Sequence, residues 1–253
     1  MAVFDSWSAF GTFADRVRRQ SRHVLDRESG RFLRALVKTS VKRARTIQRG
    51  TILWRAQLGH AWKREIIHGG IKVDVAIPYP SRRMKPMPDR AREGRLNAKG
   101  IPCLYLSTDL ETAMSEVRPW IGSKLTVAQF QVLKDLEVVD CSSDQISLLL
   151  DDASRPRKWE RAVWTGVNRA FSEPVSPSDD IADYAPTQVL AESFREAGYA
   201  GVAYRSTLGQ GVNIAVFDPA LARVIRRMLF DVTSIQFGFS HISVPVSALK
   251  RRK

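Results

Sequence analysis

Apolar residues recur at helical spacing along the first fifty residues of the chain. From Phe32 to Ile47 an apolar side chain returns every three or four positions, with basic residues between, which is typical of an amphipathic helix. The pattern predicts helix over about residues 11–48, and we expect Gly30 to divide it into two helices. We therefore interpret residues 1–50 as a basic helical N-terminal extension and residues 51–253 as the main domain.

Beyond Thr51 the pattern changes to short strands that alternate with helices. Strands are predicted over residues 52–56, 103–106, 125–132, 136–140, 199–206 and 212–217. Helices are predicted over about residues 110–118, 144–167 and 187–197, with Thr108 or Asp109 as the N-cap of the first and Gly198 as the end of the last. The proline-rich stretches at 78–88 and 172–183 are predicted surface loops. This mixture predicts a single α+β domain.

The composition, with 44% hydrophobic and 26% charged residues, is that of a globular protein. No stretch approaches the roughly 18 apolar residues of a membrane span, and the first residues lack the order of a secretory signal. We therefore expect a cytoplasmic protein without a membrane partner. The two cysteines, Cys103 and Cys141, lie beside predicted strands and are expected to be inert buried thiols. The four histidines show no ligand spacing, so no metal is expected.

The chain carries 40 Lys and Arg against 26 Asp and Glu, a net charge of +14. Such an excess attracts anions of several kinds: nucleic acid, an anionic membrane surface, an acidic protein or a phosphorylated small molecule. The basic residues are concentrated between residues 16 and 49 and in the tail at 250–253. A solvated helix face is the simplest interpretation. A basic nucleic-acid-binding protein is the alternative from a different class, although no helix-turn-helix or aromatic RNA-binding motif accompanies the charge.

The segment from Gly94 to Arg118 holds the strongest chemical signal. It contains a guanidinium, a phenol and a carboxylate, Arg95, Tyr105 and Glu116, within a short run of predicted strand and helix. These groups can grip a phosphorylated sugar and stabilise positive charge on it. Taken singly, Arg95 and Glu116 could form a plain ion pair, and Tyr105 could be a core aromatic. A Gly-x-Gly at Gly209 is a weak phosphate signal for which a hairpin turn is the favoured interpretation.

Taken in order, several motifs resemble the RES-domain family. Its pattern is approximately Gly-Arg-x-Asn-x-x-Gly-x-x-x-Leu-Tyr, then Ala-x-x-Glu, then Gly-x-x-Tyr-x-Ser and Asn-x-x-x-Phe, and this sequence keeps each position between about residues 51 and 225. The matching positions are Arg95, Asn97, Tyr105, Glu116, Ser206 and Asn213, and Arg55 stands where the family has an earlier arginine on a strand. The sequence departs from the pattern at Arg205, where proline is frequent, and the first fifty residues have no counterpart in it.

The resemblance implies an NAD⁺-degrading toxin of a bacterial toxin–antitoxin pair, with mixed central β-sheets flanked by helices as in ADP-ribosyltransferases. Such enzymes cleave the nicotinamide–ribose bond as NAD⁺ phosphorylases or glycohydrolases. The acceptor is therefore inorganic phosphate or water, with no resident cofactor. The alternative is a protein mono-ADP-ribosyltransferase, which differs only in the acceptor. The implied partner is an antitoxin with a DNA-binding helix-turn-helix domain, and a homodimer is also open.

The resemblance assigns catalytic roles to Arg95, Tyr105, Glu116 and Ser206, and substrate contacts to three residues: Arg55, Asn97 and Asn213. Glu116 would stabilise positive charge on the ribose, and the planar Arg95 guanidinium would grip the pyrophosphate or an incoming phosphate. Tyr105 would stack on nicotinamide or bond to ribose, and Ser206 would donate a hydrogen bond to phosphate or ribose and need not be a nucleophile. The extension would serve assembly or partner binding, by packing on the core, on a second copy or on an acidic antitoxin.

Overall fold

The computed structural model describes residues 3–143, 156–173, 181–236 and 238–240. Its strands are β1 (Ala44–Ile47), β2 (Ile52–Leu58), β3 (Ala61–Ile66), β4 (Lys72–Ile77), β5 (Leu104–Ser107), β6 (Lys124–Val132), β7 (Leu136–Cys141), β8 (Gly201–Arg205), β9 (Val212–Val216) and β10 (Ala222–Asp231). Its α-helices are α1 (Ala9–Arg19), α2 (Arg27–Ser40), α3 (Leu110–Ser115), α4 (Trp159–Ser172) and α5 (Ala185–Glu196).

Within these residues, eight strands form one sheet in the order β1-β7-β8-β9-β5-β2-β6-β10, and β3 pairs with β4 as a separate hairpin. Strands β7 and β8, which α4 and α5 separate along the chain, run parallel. The other neighbouring pairs of the described sheet are antiparallel. A mixed sheet flanked by helices confirms the predicted α+β class.

The two faces of the sheet bury different hydrophobic clusters, because successive strand side chains point to opposite sides. On one face, Val139 and Val202 pack against the helices, where Trp164 of α4 stacks on Phe194 of α5 with ring centroids 6.2 Å apart. On the other face, Val138 and neighbouring strand residues pack against Met84 of the proline-rich loop. That loop is therefore attached to the sheet through a buried side chain.

The predicted helix over residues 11–48 is wrong in two places. Gly30 lies inside α2, and the break comes earlier, where the Asp26 carboxylate accepts a hydrogen bond from the Ser29 amide at 2.6 Å and caps α2. One glycine costs a helix only about 1 kcal/mol, which this cap can offset. In addition, Ala44–Ile47 is strand β1, paired antiparallel with β7 at the edge of the sheet.

The apolar stripe of the N-terminal segment packs on the core of the domain. Phe13 and Val17 of α1 and Leu36 of α2 are buried in the same cluster as Trp164. The Trp164 indole also donates to the Thr39 hydroxyl at 3.0 Å. The sequence left three surfaces open for this segment to pack on: the core, a second copy or an acidic antitoxin. In the structure the segment packs on the core. The division at residue 50 and a role in assembly stay predictions.

The other predicted elements have mixed outcomes. The strands predicted around β2, β5, β6, β7, β8 and β9 are confirmed, as is the helix that ends before Gly198, whose φ is 94°. The hairpin β3–β4 and the edge strand β10 were not predicted. Of the helix predicted over 144–167, residues 144–155 lie outside the described residues, as do residues 174–180 of the second predicted loop. None of the described helices has the length and apolar character of a membrane span.

The packing of α2 predicts that Leu36→Ala lowers the free energy of unfolding by about 2–5 kcal/mol, because it removes a fully buried side chain and leaves a cavity. Val41→Ala is the control: that side chain is 70% exposed, so a change within about 0.5 kcal/mol is expected. Urea unfolding followed by circular dichroism measures both. Equal, small effects of the two substitutions would show that the segment is not part of the core.

Candidate active site

Glu116 follows the short helix α3, which fixes the place of its carboxylate. The helix begins at Asp109, whose side chain accepts a hydrogen bond from the Thr112 amide at 2.8 Å and confirms the predicted N-cap. At its other end, Glu116 Oε1 accepts hydrogen bonds from Ser206 Oγ at 2.7 Å and from Asn213 Nδ2 at 2.6 Å. Two distant parts of the sequence thus meet at one carboxylate oxygen.

The two donors to Glu116 are themselves held in place. Ser107 Oγ donates to Asn213 Oδ1 at 2.7 Å, since these residues face each other in the register of β5 and β9. The Leu208 amide donates to Ser206 Oγ at 3.1 Å, so the hydroxyl proton is directed to the carboxylate. Ser206 and Asn213 are both buried. The carboxylate is therefore kept in one orientation by donors that cannot turn away.

Tyr105 points into the turn that carries Arg95. Its hydroxyl donates to Asn97 Oδ1 at 2.7 Å and accepts from the Leu96 amide at 3.0 Å. A Cβ on Gly94 would lie 2.7 Å from that hydroxyl, which explains the glycine at this position. Burial raises the pKa of Tyr105 well above its ordinary value. The phenol thus stays protonated and fastens the turn to the sheet.

Asn97 is fully engaged by the chain around it. Its amide nitrogen donates to the carbonyls of Arg92 at 2.8 Å and Ile101 at 2.9 Å, while its oxygen accepts from Tyr105. From the start of α5, Gln188 Nε2 donates to the carbonyls of Gly94 and Asn97 at 2.9 and 3.1 Å. These bonds give Asn97 and Gln188 positioning roles. Direct substrate contact by Asn97 stays a prediction.

Arg95 contacts the end of a helix. Its Nη1 donates to the carbonyls of Ala170 at 3.0 Å and Phe171 at 2.6 Å, in the last turn of α4. Carbonyls at a helix C-terminus lack partners within the helix and interact favourably with a cation. Among the described residues no ion pair joins Arg95 to Glu116. The pyrophosphate grip assigned to Arg95 stays a prediction.

Arg55 on β2 is a half-buried cation with incomplete partners. Its Nη1 donates to the Tyr105 carbonyl at 3.1 Å, but its Nε is buried without an acceptor among the described residues. Burial lowers the pKa of Arg55 from its ordinary value, although a guanidinium keeps its proton in proteins. No carboxylate of the described residues forms an ion pair with it. A buried charge of this kind is unfavourable until an anion pairs with it.

Two cavities meet at Arg55 and Tyr105, which line both. The smaller, about 250 Å³, is also lined by Trp54, Tyr204, Glu116 and Asn213. The larger, about 1120 Å³, is lined by the proline-rich loop and the segment before Arg95, with cations Arg82, Arg83, Lys85, Arg90 and Arg92. The predicted loop therefore forms a wall of the site. Its charge suits a phosphorylated ligand.

The Gly209 to Gly211 segment is a hairpin turn between β8 and β9, as the favoured interpretation had it. The Gly211 amide donates to Thr112 Oγ1 at 2.9 Å, and a Cβ on Gly211 would overlap the Asp109 carboxylate. The glycine thus allows the hairpin to pack closely on the start of α3. This contact aligns Ser206 and Asn213 with Glu116.

Comparison with known proteins identifies the family of the chain. A family model described as the RES domain matches residues 52–239, so the chain belongs to the RES-domain family. A chain in the crystal structure of the M. tuberculosis MbcT-MbcA toxin-antitoxin complex is 15% identical, with 78% of this chain and 92% of that chain covered and a TM-score of 0.42. No curated protein sequence matches the chain.

The described residues contain no group of three or more His, Cys, Asp or Glu side chains that could hold a metal ion. Both cysteines are buried, as expected. Burial raises the pKa of the Cys103 thiol from 9.0 to about 12. Since the thiolate is the reactive form, Cys103 is unsuited to nucleophilic chemistry near neutral pH.

This environment predicts that the native protein reacts slowly with a disulfide reagent such as DTNB at about pH 8, because a thiol with a pKa of about 12 is almost wholly protonated there. After unfolding in guanidinium chloride, both cysteines should react within minutes. Absorbance of the released thionitrobenzoate counts the reacting thiols. Rapid release of one equivalent from native protein would show that Cys103 or Cys141 is accessible and reactive.

Proposed function

We propose that this protein is the toxin of a bacterial toxin–antitoxin pair and degrades NAD⁺ by cleaving its nicotinamide–ribose bond. The observation that carries the proposal is the carboxylate of Glu116, held through Oε1 by Ser206 and Asn213 in the wall of a cavity shared with Arg55. Membership of the RES-domain family supports the toxin class.

The chemistry requires negative charge beside the ribose. When the bond between ribose C1′ and the nicotinamide nitrogen breaks, its electron pair goes to the ring, which leaves as a neutral molecule. The ribose then carries oxocarbenium character, which a fixed carboxylate stabilises. Within the described part of the chain, both hydrogen bonds to Glu116 are accepted by Oε1. Oε2 can therefore accept a hydrogen bond from a ribose hydroxyl.

The second half of the reaction adds an acceptor to C1′ and releases a proton. Water gives ADP-ribose, and inorganic phosphate gives ADP-ribose 1″-phosphate. Ser206 does not supply the attacking oxygen in this proposal, because its proton is donated to Glu116 and its oxygen accepts from Leu208. The site holds the substrate and its developing charge, and the acceptor enters from solution.

Arg55 fits the dinucleotide diphosphate. It lies where the two cavities meet, with a buried Nε and no carboxylate partner among the described residues. A diphosphate at this point would place the nicotinamide riboside in the smaller cavity, beside Glu116, Trp54 and Tyr204. Aromatic walls suit the flat nicotinamide ring. The adenosine would then occupy the larger cavity.

The implied partner is an antitoxin with a DNA-binding helix-turn-helix domain that blocks the site. The cations that line the larger cavity favour an acidic antitoxin surface at its mouth. Neither a homodimer nor contact of the basic surface with nucleic acid is needed for the proposed reaction. Both stay predictions.

The proposal predicts that Glu116→Gln lowers NAD⁺ turnover about 10²–10³-fold, because the amide keeps the size of the side chain but loses the charge that stabilises the transition state. Glu111→Gln is the matched control: Glu111 lies on the same helix, is exposed and lines neither cavity. Turnover is measured on purified protein with and without phosphate, and expression of each variant in a bacterial host tests growth arrest.

Mass spectrometry of the same reactions identifies the acceptor. ADP-ribose indicates water, ADP-ribose 1″-phosphate indicates phosphate, and an increase in the mass of a protein indicates ADP-ribosyl transfer. A folded Glu116→Gln variant that consumes NAD⁺ at the wild-type rate would exclude the role of this carboxylate. Wild-type protein that consumes no NAD⁺ under any of these conditions would exclude the proposed reaction.

A further inference from the structure

We propose that the larger cavity recognises a third phosphate on the adenosine ribose, so that NADP⁺ is the preferred substrate of the site. This inference rests on the proposed function, since it assumes that the diphosphate binds at Arg55 and that the adenosine lies in the larger cavity. It adds a substrate preference that the position of Glu116 does not determine.

The charge of the larger cavity exceeds what NAD⁺ needs. Its described lining contains six cationic side chains, Arg55, Arg82, Arg83, Lys85, Arg90 and Arg92, and a single carboxylate, Glu93. The diphosphate of NAD⁺ supplies two negative charges, and Arg55 stands at the junction to receive it. Arg82, Arg83 and Arg92 form no ion pair with a carboxylate of the described residues. A further phosphate would match this charge.

The only carboxylate in the described lining is also poorly suited to selecting NAD⁺. In Rossmann-type sites, selection of NAD⁺ uses a carboxylate on the 2′-hydroxyl of the adenosine ribose, whereas an arginine accommodates a 2′-phosphate, and the same chemistry applies to any site that binds this ribose. Glu93 Oε1 accepts a hydrogen bond from Gln188 Nε2 at 3.0 Å, which ties the carboxylate to the start of α5. The arginines outnumber it on the wall formed by the proline-rich loop.

The arginines of that loop sit on a fixed turn. Residues Ser81–Met84 form a 3₁₀ turn, and the fully buried Met84 anchors it in the core. The Arg83 guanidinium carbon lies 3.8 Å from the centroid of the Tyr79 ring. Tyr79 is held in turn, because its amide donates to Thr126 Oγ1 at 3.0 Å and its carbonyl accepts from Arg227 at 2.8 Å. Stacking uses the guanidinium face, so the N–H groups at its edge can bind phosphate.

Free inorganic phosphate is a second source of the same negative charge. A phosphate that acts as acceptor must reach C1′ of the nicotinamide ribose, which the proposed function places beside Glu116 in the smaller cavity. Arg82 and Arg83 line the larger cavity and are not in the lining of the smaller one. Their position therefore favours a phosphate attached to the adenosine ribose.

Steady-state kinetics of the full chain with NADP⁺ and NAD⁺ at fixed ionic strength test the inference. We expect a higher kcat/KM for NADP⁺, and we expect Arg83→Gln to lower the NADP⁺ value at least about tenfold more than the NAD⁺ value, as loss of a charge-assisted phosphate contact would. Arg34→Gln is the control, because Arg34 is exposed on α2 and lines neither cavity; the ratio should not change.

A binding experiment separates recognition from catalysis. Calorimetry compares adenosine 2′,5′-bisphosphate with adenosine 3′,5′-bisphosphate, which has the same charge in a different position. Tighter binding of the 2′ isomer that is lost in Arg83→Gln supports the inference, whether or not a dinucleotide is consumed. If neither dinucleotide is consumed, the proposed reaction is overturned and the inference about binding is not. Efficient NAD⁺ turnover with a lower kcat/KM for NADP⁺, or equal binding of the two isomers, would overturn the inference and leave the proposed reaction standing.

Discussion

The guanidinium of Arg55, whose Nε is buried without an acceptor among the described residues, is the constraint on which the site depends. Arg55 lies on β2, between β5 and β6 in the sheet, and among the described residues its partner is the Tyr105 carbonyl, while Nε has none. A partly buried cation without a carboxylate partner is unfavourable for the protein alone, and its attraction for an anion is stronger than it would be in bulk water. In our proposal the dinucleotide diphosphate supplies that anion, and its position then fixes where the two ends of the substrate lie.

The rest of the architecture places the Glu116 carboxylate in the lining of the smaller cavity, which Arg55 also lines. The register of β5 and β9 sets Ser107 opposite Asn213, and the close approach of Gly211 to α3 brings the β8–β9 hairpin onto the helix that precedes Glu116. Two residues before Ser107 on β5, Tyr105 holds the Asn97 turn. Several of the motif residues thus hold other parts of the site in place through hydrogen bonds.

The sequence predicts the local elements well where the period of apolar residues is clear, as in β6 and α5, and where a cap marks the boundary, as at Asp109 and Gly198. The order of the motifs also predicts that Glu116, Ser206 and Asn213 belong together. Contacts between segments that are distant in the sequence are harder to predict. No local pattern shows that Arg95 caps a helix 75 residues later, since Arg95 Nη1 bonds to Ala170 O.

The N-terminal segment shows a different limit of prediction from sequence. Its apolar stripe is regular, but periodicity does not say which surface covers the stripe or that the chain turns into strand β1 at Ala44. The β3–β4 hairpin escaped prediction because exposed apolar residues such as Trp62 and Ile66 obscure the alternation that marks a half-buried strand. The missing acceptor at Arg55 Nε depends on packing from several strands and could not be read from residue types.

Thermal unfolding of wild-type protein and the Arg55→Met variant, each with and without ADP, tests whether Arg55 is the diphosphate anchor. We expect the variant alone to be at least as stable as wild type, because an apolar side chain of similar size replaces a partly buried charge without a carboxylate partner. ADP at about 100 times its Kd should stabilise wild type by about 2.7 kcal/mol and leave the variant unaffected. A variant that is clearly less stable alone and gains the same stabilisation from ADP would contradict the assignment of Arg55 as the diphosphate anchor.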